Sequence, residues 1–394
     1  MITNFNLRLK QLLIIFNIYL AKGIYNLSKT KDEKETWIII ERGYDARDNA
    51  FFFFEFLSKK KISNVQLKYI IDKKSVDYDK VKNIGEVVNY GSFEHFRILN
   101  QATTIVSTHA NTFIPYQHLL GKFIKKGLIN YNHTFIFLQH GIIKEYLPEL
   151  CYPQSKFDLF ICGSKIEFDY VKKFFNHPNH VVNYTGLARF DNLHSFKTKK
   201  QILLMPTWRK FLSNQNEKEF QESNYYQTYN NLLNNDELYC VLKATGYKLI
   251  FYPHYEVQKF LHLFSINNDV IELASFNDFD VQQLLKESEL LITDYSSVFF
   301  DFAYMRKPII YYQFDQNEYY INHYKKGYFD FENMGFGPVV KKQKDAIEEI
   351  RKSINCNNKL EAKYFNNITN FFPMYDNKNC ERIYNKILEK RNLL

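Results

Sequence analysis

The stretch LLITDYSSVFFDFAYMRKPIIYY, residues Leu290–Tyr312, holds two short apolar runs, Leu290–Thr293 and Ile309–Tyr312, on either side of a helix-length segment. Buried strands of four to six residues alternating with helices are the mark of a parallel sheet. Ser297–Met305 is the connecting helix. Thr293, Ser296 and Ser297 fall at its N-terminus, where free backbone N–H groups and the helix dipole favour an anion. The other reading is that Asp294 or Ser296 caps the helix. The two are compatible.

The same alternation extends in both directions. Strands are predicted at Trp37–Ile40, Val65–Ile71, Val87–Tyr90, Thr104–Ser107, Thr134–Leu138, Leu159–Cys162 and Val181–Tyr184. A second series follows at Ile202–Met205, Lys248–Phe251 and Val270–Leu273, before the two runs of the opening stretch. Helices are predicted between them, among them Arg47–Lys60, Glu222–Ala244, Glu256–Phe264 and Lys342–Ser353. The polar, basic segment His194–Gln201 separates the two series. The fold class is therefore α/β, with two Rossmann-like doubly wound domains facing each other across a cleft. Residues 1–35 are read as an N-terminal helix, 36–195 as the first domain and 196–394 as the second with its final helices. No GxGxxG or P-loop is present, which counts against a dinucleotide oxidoreductase and a P-loop NTPase.

A chain of 394 residues is long enough for two such domains. Lys and Arg number 52 against 43 Asp and Glu, a net charge of +9 that suits phosphate-rich partners. No Arg-rich arm, zinc-finger spacing or RNA-binding aromatic motif accompanies that charge, so no nucleic-acid partner is expected. The five scattered cysteines read as reduced thiols, with neither a disulfide framework nor a metal site. The apolar run Gln11–Ala21 falls short of the roughly 20 residues that span a bilayer. Phe5, Leu9, Leu12, Phe16, Leu20 and Leu27 lie near helical spacing with Arg8, Lys10, Lys22 and Lys29 close by. That pattern fits a helix lying on a membrane surface, or equally one packed on its own domain.

Ligands of open α/β sheets bind at the carboxyl ends of the strands, so the residues there are the chemical candidates. Met205-Pro206-Thr207-Trp208-Arg209 ends one strand, and an Arg there can clamp phosphate oxygens bidentately. Phe251-Tyr252-Pro253-His254 ends the next. In the first domain Leu138-Gln139-His140-Gly141 ends a strand with a histidine, and Gly141 permits a tight turn or a close approach. No carboxylate cluster has metal-ligand spacing, so no metal is expected.

In this order the pieces resemble the CDP-glycerol glycerophosphotransferase family, the teichoic-acid primase and polymerase type. The matching pieces are LQHG (Leu138–Gly141), YTGLARFDNL (Tyr184–Leu193), PTWR (Pro206–Arg209), PH (Pro253–His254), the opening stretch and GYFDFENMGFGPVV (Gly327–Val340). GYDARDNAFFFFEFL (Gly43–Leu57) resembles the Asn-containing start of the family's acceptor domain. The resemblance implies the GT-B fold. It implies His140 as general base on an acceptor hydroxyl, with His254 and Arg209 completing the catalytic set. Thr207, Arg209, His254, Thr293, Asp294, Ser296 and Ser297 are implied as the donor-binding set. For Asp294 and Asp301 the alternative is capping and structural hydrogen bonding. Two departures stand out: His140-Gly141 leads into Ile142-Ile143-Lys144 where the family often has Thr, and no basic residue precedes Pro253-His254.

The expected reaction moves a polyol phosphate, glycerol phosphate first, from a CDP-activated donor to a hydroxyl of a lipid-linked or polymeric surface glycan, releasing CMP. The CDP-polyol is a substrate, and no cofactor is expected. The expected place is the cytoplasmic face of the cell membrane, peripherally attached to the inner membrane surface, in teichoic-acid or capsule synthesis. A GT-B glycosyltransferase using a nucleotide sugar is the alternative, and a non-catalytic scaffold the other class.

Overall fold

The computed structural model describes residues 2–28, 34–129, 131–322 and 326–392. The strands form two sheets, each parallel throughout. The first comprises β1 (Glu35–Ile40), β2 (Val65–Ile71), β3 (Val87–Asn89), β4 (Ala102–Ser107), β5 (Thr134–Phe137), β6 (Leu159–Cys162) and β7 (Val182–Tyr184). Its spatial order is β3-β2-β1-β4-β5-β6-β7. The second comprises β8 (Gln201–Leu204), β9 (Lys248–Phe251), β10 (Ile271–Leu273), β11 (Leu290–Thr293), β12 (Ile309–Tyr312) and β13 (Val339–Val340). Its order is β10-β9-β8-β11-β12-β13. Each order reverses once, between β1 and β4 and between β8 and β11. Loops diverge at such a switch point and leave a crevice beyond the strand ends.

The opening stretch explains how the second sheet is held. Leu291 pairs with Ile309 and Ile292 with Ile310, and all of Leu290–Thr293 is buried. Because side chains alternate across a strand, Leu290 and Ile292 join one core and Leu291 the other. Tyr225, Tyr229, Leu238 and Leu242 complete the first of these cores, and Phe299, Phe300 and Phe302 of the helix Val298–Tyr304 complete the second. Both faces are covered, which is why the strands read as unbroken apolar runs. The abundant Phe and Tyr are largely core material here. Phe299 meets Tyr311 edge to face with centroids 5.2 Å apart.

Three expectations need correction. The single helix predicted over Glu222–Ala244 is two, Asn224–Leu233 and Asp236–Thr245, with Glu222 ending a separate helix, Glu217–Glu222. Ser223 and Asn235 take extended backbone and accept from the N–H groups of Tyr226 and Leu238, so each starts a new helix. Glu256–Phe264 is instead a 3-10 segment, Tyr255–Leu263. The last helix, Asn379–Asn392, does not stay with the second domain. Cys380, Ile383, Tyr384 and Ile387 pack beside Trp37, Phe53 and Leu57 of the first, so the span 196–394 is not one domain.

The N-terminal helix, Ile2–Ser28, buries Ile14, Ile18 and Ala21 against Phe96, Leu99 and Leu120 of the first domain. That spacing is one helical stripe. Leu12, Leu13, Phe16, Leu20 and Leu27 point outward. The side chains of Phe5, Arg8 and Leu9, and residue Lys29, lie outside the described residues. No helix among the described residues is long and apolar enough to cross a membrane.

Candidate active site at the domain cleft

The two sets of strand ends enclose a cavity of about 420 Å³. From the first domain it is lined by Arg42, His109, His140, Gly141 and Lys144, among others. From the second come Thr207, His254, Tyr295, Ser296 and Ser297. The loops after β1 and β4 and after β8 and β11, at the two switch points, supply much of this lining.

His140 is fixed from several sides. The tight turn before it is carried by Gln139, whose φ is +61°, and not by Gly141. A non-glycine residue holds that left-handed conformation only where its surroundings enforce it. Asn49, fully buried, donates from Nδ2 to the Gln139 carbonyl at 2.8 Å, while its Oδ1 accepts from the Arg189 N–H at 3.1 Å. Arg189 donates to the His140 carbonyl at 3.1 Å. Buried Glu167 accepts from the Ile143 and Gly163 N–H groups, both at 2.6 Å, and pins the far side of the loop. Gly141 matters for what it lacks. A β-carbon there would lie 3.0 Å from the Ser297 hydroxyl of the opposite domain.

The His140 ring lies parallel to His109, with centroids 4.8 Å apart. The ring lines the cavity. The ring edge is open to the cleft, yet the walls withdraw it from bulk water. That desolvation, with Arg42 and Arg189 adding repulsion, pushes its pKa down to about 4. His254 is likewise lowered to about 4, first by burial and then by Arg42 and His140. It stacks on Trp208 at 6.0 Å. Both histidines are neutral at pH 7, and a neutral imidazole can accept a proton.

The structure departs from expectation at Arg209. Its guanidinium is fully buried and fully engaged. Nε donates to Asp315 at 2.7 Å, one terminal nitrogen to Asp315 at 3.0 Å and Asp294 at 2.8 Å, and the other to the Thr207 carbonyl at 2.7 Å. The bidentate fork is there, but a protein carboxylate fills it. Asp294 is equally committed, accepting from the Thr207 N–H at 2.8 Å and the Tyr295 N–H at 2.6 Å. Thr293 donates to the Met205 carbonyl at 2.7 Å and ties β11 to β8. These three stand behind the cavity wall. Thr207, His254, Ser296, Ser297 and His140 line the cavity itself.

Several residues at the cleft escaped sequence reasoning. Arg189 crosses it, holding Asp301 of the second domain through two bonds of 2.5 and 2.8 Å and Asp48 of the first at 2.6 Å. Arg47 crosses it too, pairing with Asp77 at 2.8 Å and donating to the Phe276 and Phe279 carbonyls at 3.1 and 3.2 Å. The charge density of Glu41-Arg42-Gly43-Tyr44-Asp45-Ala46-Arg47-Asp48 directly after a strand was the signal available for both Arg42 and Arg47. Gly327 packs against the Lys144–Glu145 backbone, where a side chain would collide with the Lys144 carbonyl.

Two Rossmann-like domains with histidines converging from both sides of the cleft between them define a GT-B type transferase architecture. The chain belongs to the CDP-glycerol:poly(glycerophosphate) glycerophosphotransferase family, whose model matches residues 23–389. It is 33% identical over 384 residues to the minor teichoic acid biosynthesis protein GgaB of Bacillus subtilis (strain 168), covering 95% of this chain and 42% of that protein. It is 35% identical over 179 residues to a teichoic acid poly(glycerol phosphate) polymerase of Bacillus spizizenii, covering 45% of this chain and 41% of that one. The chain thus spans under half the length of these relatives. Among solved structures, a variant of the wall teichoic acid polymerase TagF superposes with a TM-score of 0.70 at 17% identity, covering 100% of this chain and 99% of that one.

Proposed function

We propose that this chain transfers glycerol phosphate from CDP-glycerol to a hydroxyl of a cell-surface glycan. The observation that carries this is one cavity with a neutral, rigidly held histidine on one wall and the Ser296–Ser297 hydroxyls on the other. His140 takes the proton of the acceptor hydroxyl as its oxygen attacks the glycerol-bearing phosphorus. The new O–P bond forms, the bond from that phosphorus to the bridging oxygen breaks, and CMP leaves with the electron pair. Phosphoryl transfer of this kind needs alignment and charge stabilisation more than covalent catalysis. Ser296, Ser297, Thr207 and His254 are the donor-side contacts. Arg209 acts on the donor through Asp294, by holding the strand-end loop that carries the serines.

The acceptor in this reading is a lipid-linked saccharide or polymer at an anionic membrane surface. Support comes from the N-terminal helix, which is apolar on two faces. Ile14 and Ile18 are buried in the domain while Phe16, 62% exposed, and Leu27, 91% exposed, meet solvent with Lys10 and Lys22 on the same helix. Such a face, flanked by basic residues, suits the headgroup region.

One experiment addresses both parts. The protein is incubated with CDP-glycerol, CDP-ribitol and UDP-sugars in the presence of anionic vesicles carrying a lipid-linked saccharide. CMP release with CDP-glycerol and a product heavier by one glycerol phosphate are expected. UDP release from a sugar donor, with none of CMP, overturns the donor. Recovery of Leu12→Glu/Phe16→Glu protein with the vesicles at the wild-type level overturns the lipid surface.

A further inference from the structure

We infer that Lys144 and Arg42, both on the first domain, neutralise the donor's diphosphate across the cleft, the task that sequence reasoning gave to Arg209. The inference rests on the donor proposed above. It follows from the charges that remain available. Among the described residues, four cationic side chains line the cavity: Arg42, Arg47, Arg189 and Lys144. Arg189 is consumed by Asp301, Asp48 and the His140 carbonyl. Arg47 is consumed by Asp77 and two backbone carbonyls. Arg209 is sealed behind the wall. Among the described residues, a diphosphate entering this space therefore has two cations left to meet it.

Lys144 is buried in the cleft wall, and its carboxylate partner is Glu145, the next residue in the chain. Its ammonium lies 5.9 Å from the Phe331 ring of the second domain. Burial pulls its pKa down to about 7, against a smaller attraction to Asp294. Ser296 and Ser297 line the same cavity as Lys144. Burial costs this ammonium more than the attraction returns, so an incoming anion stabilises it. Arg42 acts electrostatically on both His140 and His254. One terminal nitrogen pairs with Asp45 at 2.7 Å, and its buried Nε has no partner among the described residues. A cavity-lining guanidinium held by a single carboxylate is suited to a phosphate oxygen. Both cations line one cavity with the serines and the two histidines. Because both come from the first domain while the serines and His254 come from the second, a bound diphosphate holds the two domains together.

The test is calorimetric titration of the full chain with cytidine, CMP and CDP-glycerol, in wild type, Lys144→Met, Lys144→Gln, Lys144→Arg and Arg42→Met. Charge-assisted contacts to phosphate are lost in the uncharged variants, so CDP-glycerol binding is expected to weaken by about tenfold or more. Cytidine binding stays unchanged, and Lys144→Arg restores much of the loss. CDP-glycerol binding within about twofold of wild type in both uncharged Lys144 variants overturns the inference. Equal weakening for cytidine and CDP-glycerol assigns Lys144 to packing and also overturns it. A folded wild-type protein that binds none of the three ligands instead overturns the donor itself, and the inference with it.

Discussion

The two walls of the cleft are built from similar residues put to opposite use. On the second domain's wall the charges are spent inward. Arg209 locks Asp294 and Asp315, and three tyrosine rings, those of Tyr225, Tyr295 and Tyr319, lie within 5.4 Å of its guanidinium. What faces the cavity there is hydroxyl and imidazole. On the first domain's wall the charges reach outward, Arg189 and Arg47 to the other domain and Arg42 and Lys144 to the cavity. The difference separates two tasks. One wall is a rigid cradle whose shape is set before a ligand arrives, and the other brings the charge that answers it.

The sharpest way to break this comparison is at Arg209. Removing one partner of a buried ion pair strands the rest, at a cost of roughly 3–5 kcal/mol. Arg209→Met strands two carboxylates, so the second domain is expected to lose stability on that scale in a denaturant titration. A phosphate-clamping arginine at a cavity wall would leave stability nearly unchanged when truncated. A wild-type denaturation midpoint with loss of donor binding alone would put the guanidinium in the cavity and dissolve the contrast between the walls.

The next effect in size falls on the first wall. His140→Ala is expected to cut kcat by about 10²–10⁴, the usual contribution of a general base, with CDP-glycerol affinity close to wild type. The pH dependence follows from the lowered pKa. His140 accepts a proton only when neutral, so activity is present above its pKa and lost as pH falls through about 4. The acid limb of kcat/KM should therefore lie well below the ordinary histidine value of about 6.5. A limb near that ordinary value, absent in His140→Ala, would mean that the ring is bathed in bulk water and not held in the desolvated wall.

The strands were legible because the central ones, such as Gln201–Leu204 and Leu290–Thr293, are buried on both faces and read as mainly apolar runs. Val339–Val340, with two residues, is too short to register and escaped. The switch-point loops were legible for the same reason, since they begin where those runs end. What a side chain does in its loop was not. Arg209 sits where a phosphate clamp would sit, but its partner Asp315 lies 106 residues further on, and nothing local announces it. The return of Asn379–Asn392 to the first domain is similar. Its apolar stripe says that it packs, not against which sheet. Lys144 read as part of a departure from a family pattern, and only the fold brings it to the cavity that the serines line.

The smallest effect is expected at Ser296 and Ser297, and it bears on what the cradle contributes. The second wall presents neutral donors, each worth less to a phosphate than a cation, though hydrogen bonds to charged groups still reach about 1.5–3 kcal/mol. Ser297 begins the helix Val298–Tyr304 without capping it through its side chain, so its hydroxyl is free of that duty. Ser296 makes only a long contact, 3.5 Å, from the Val298 N–H. The double variant Ser296→Ala/Ser297→Ala keeps the helix and its backbone N–H groups and removes two hydroxyls. Donor affinity should fall by about tenfold for each hydroxyl removed, with kcat nearly unchanged, because the contacts are made alike in ground and transition states. A fall in kcat with affinity intact would instead mean that these hydroxyls stabilise charge that develops only during transfer. The cradle would then share the work assigned to the opposite wall.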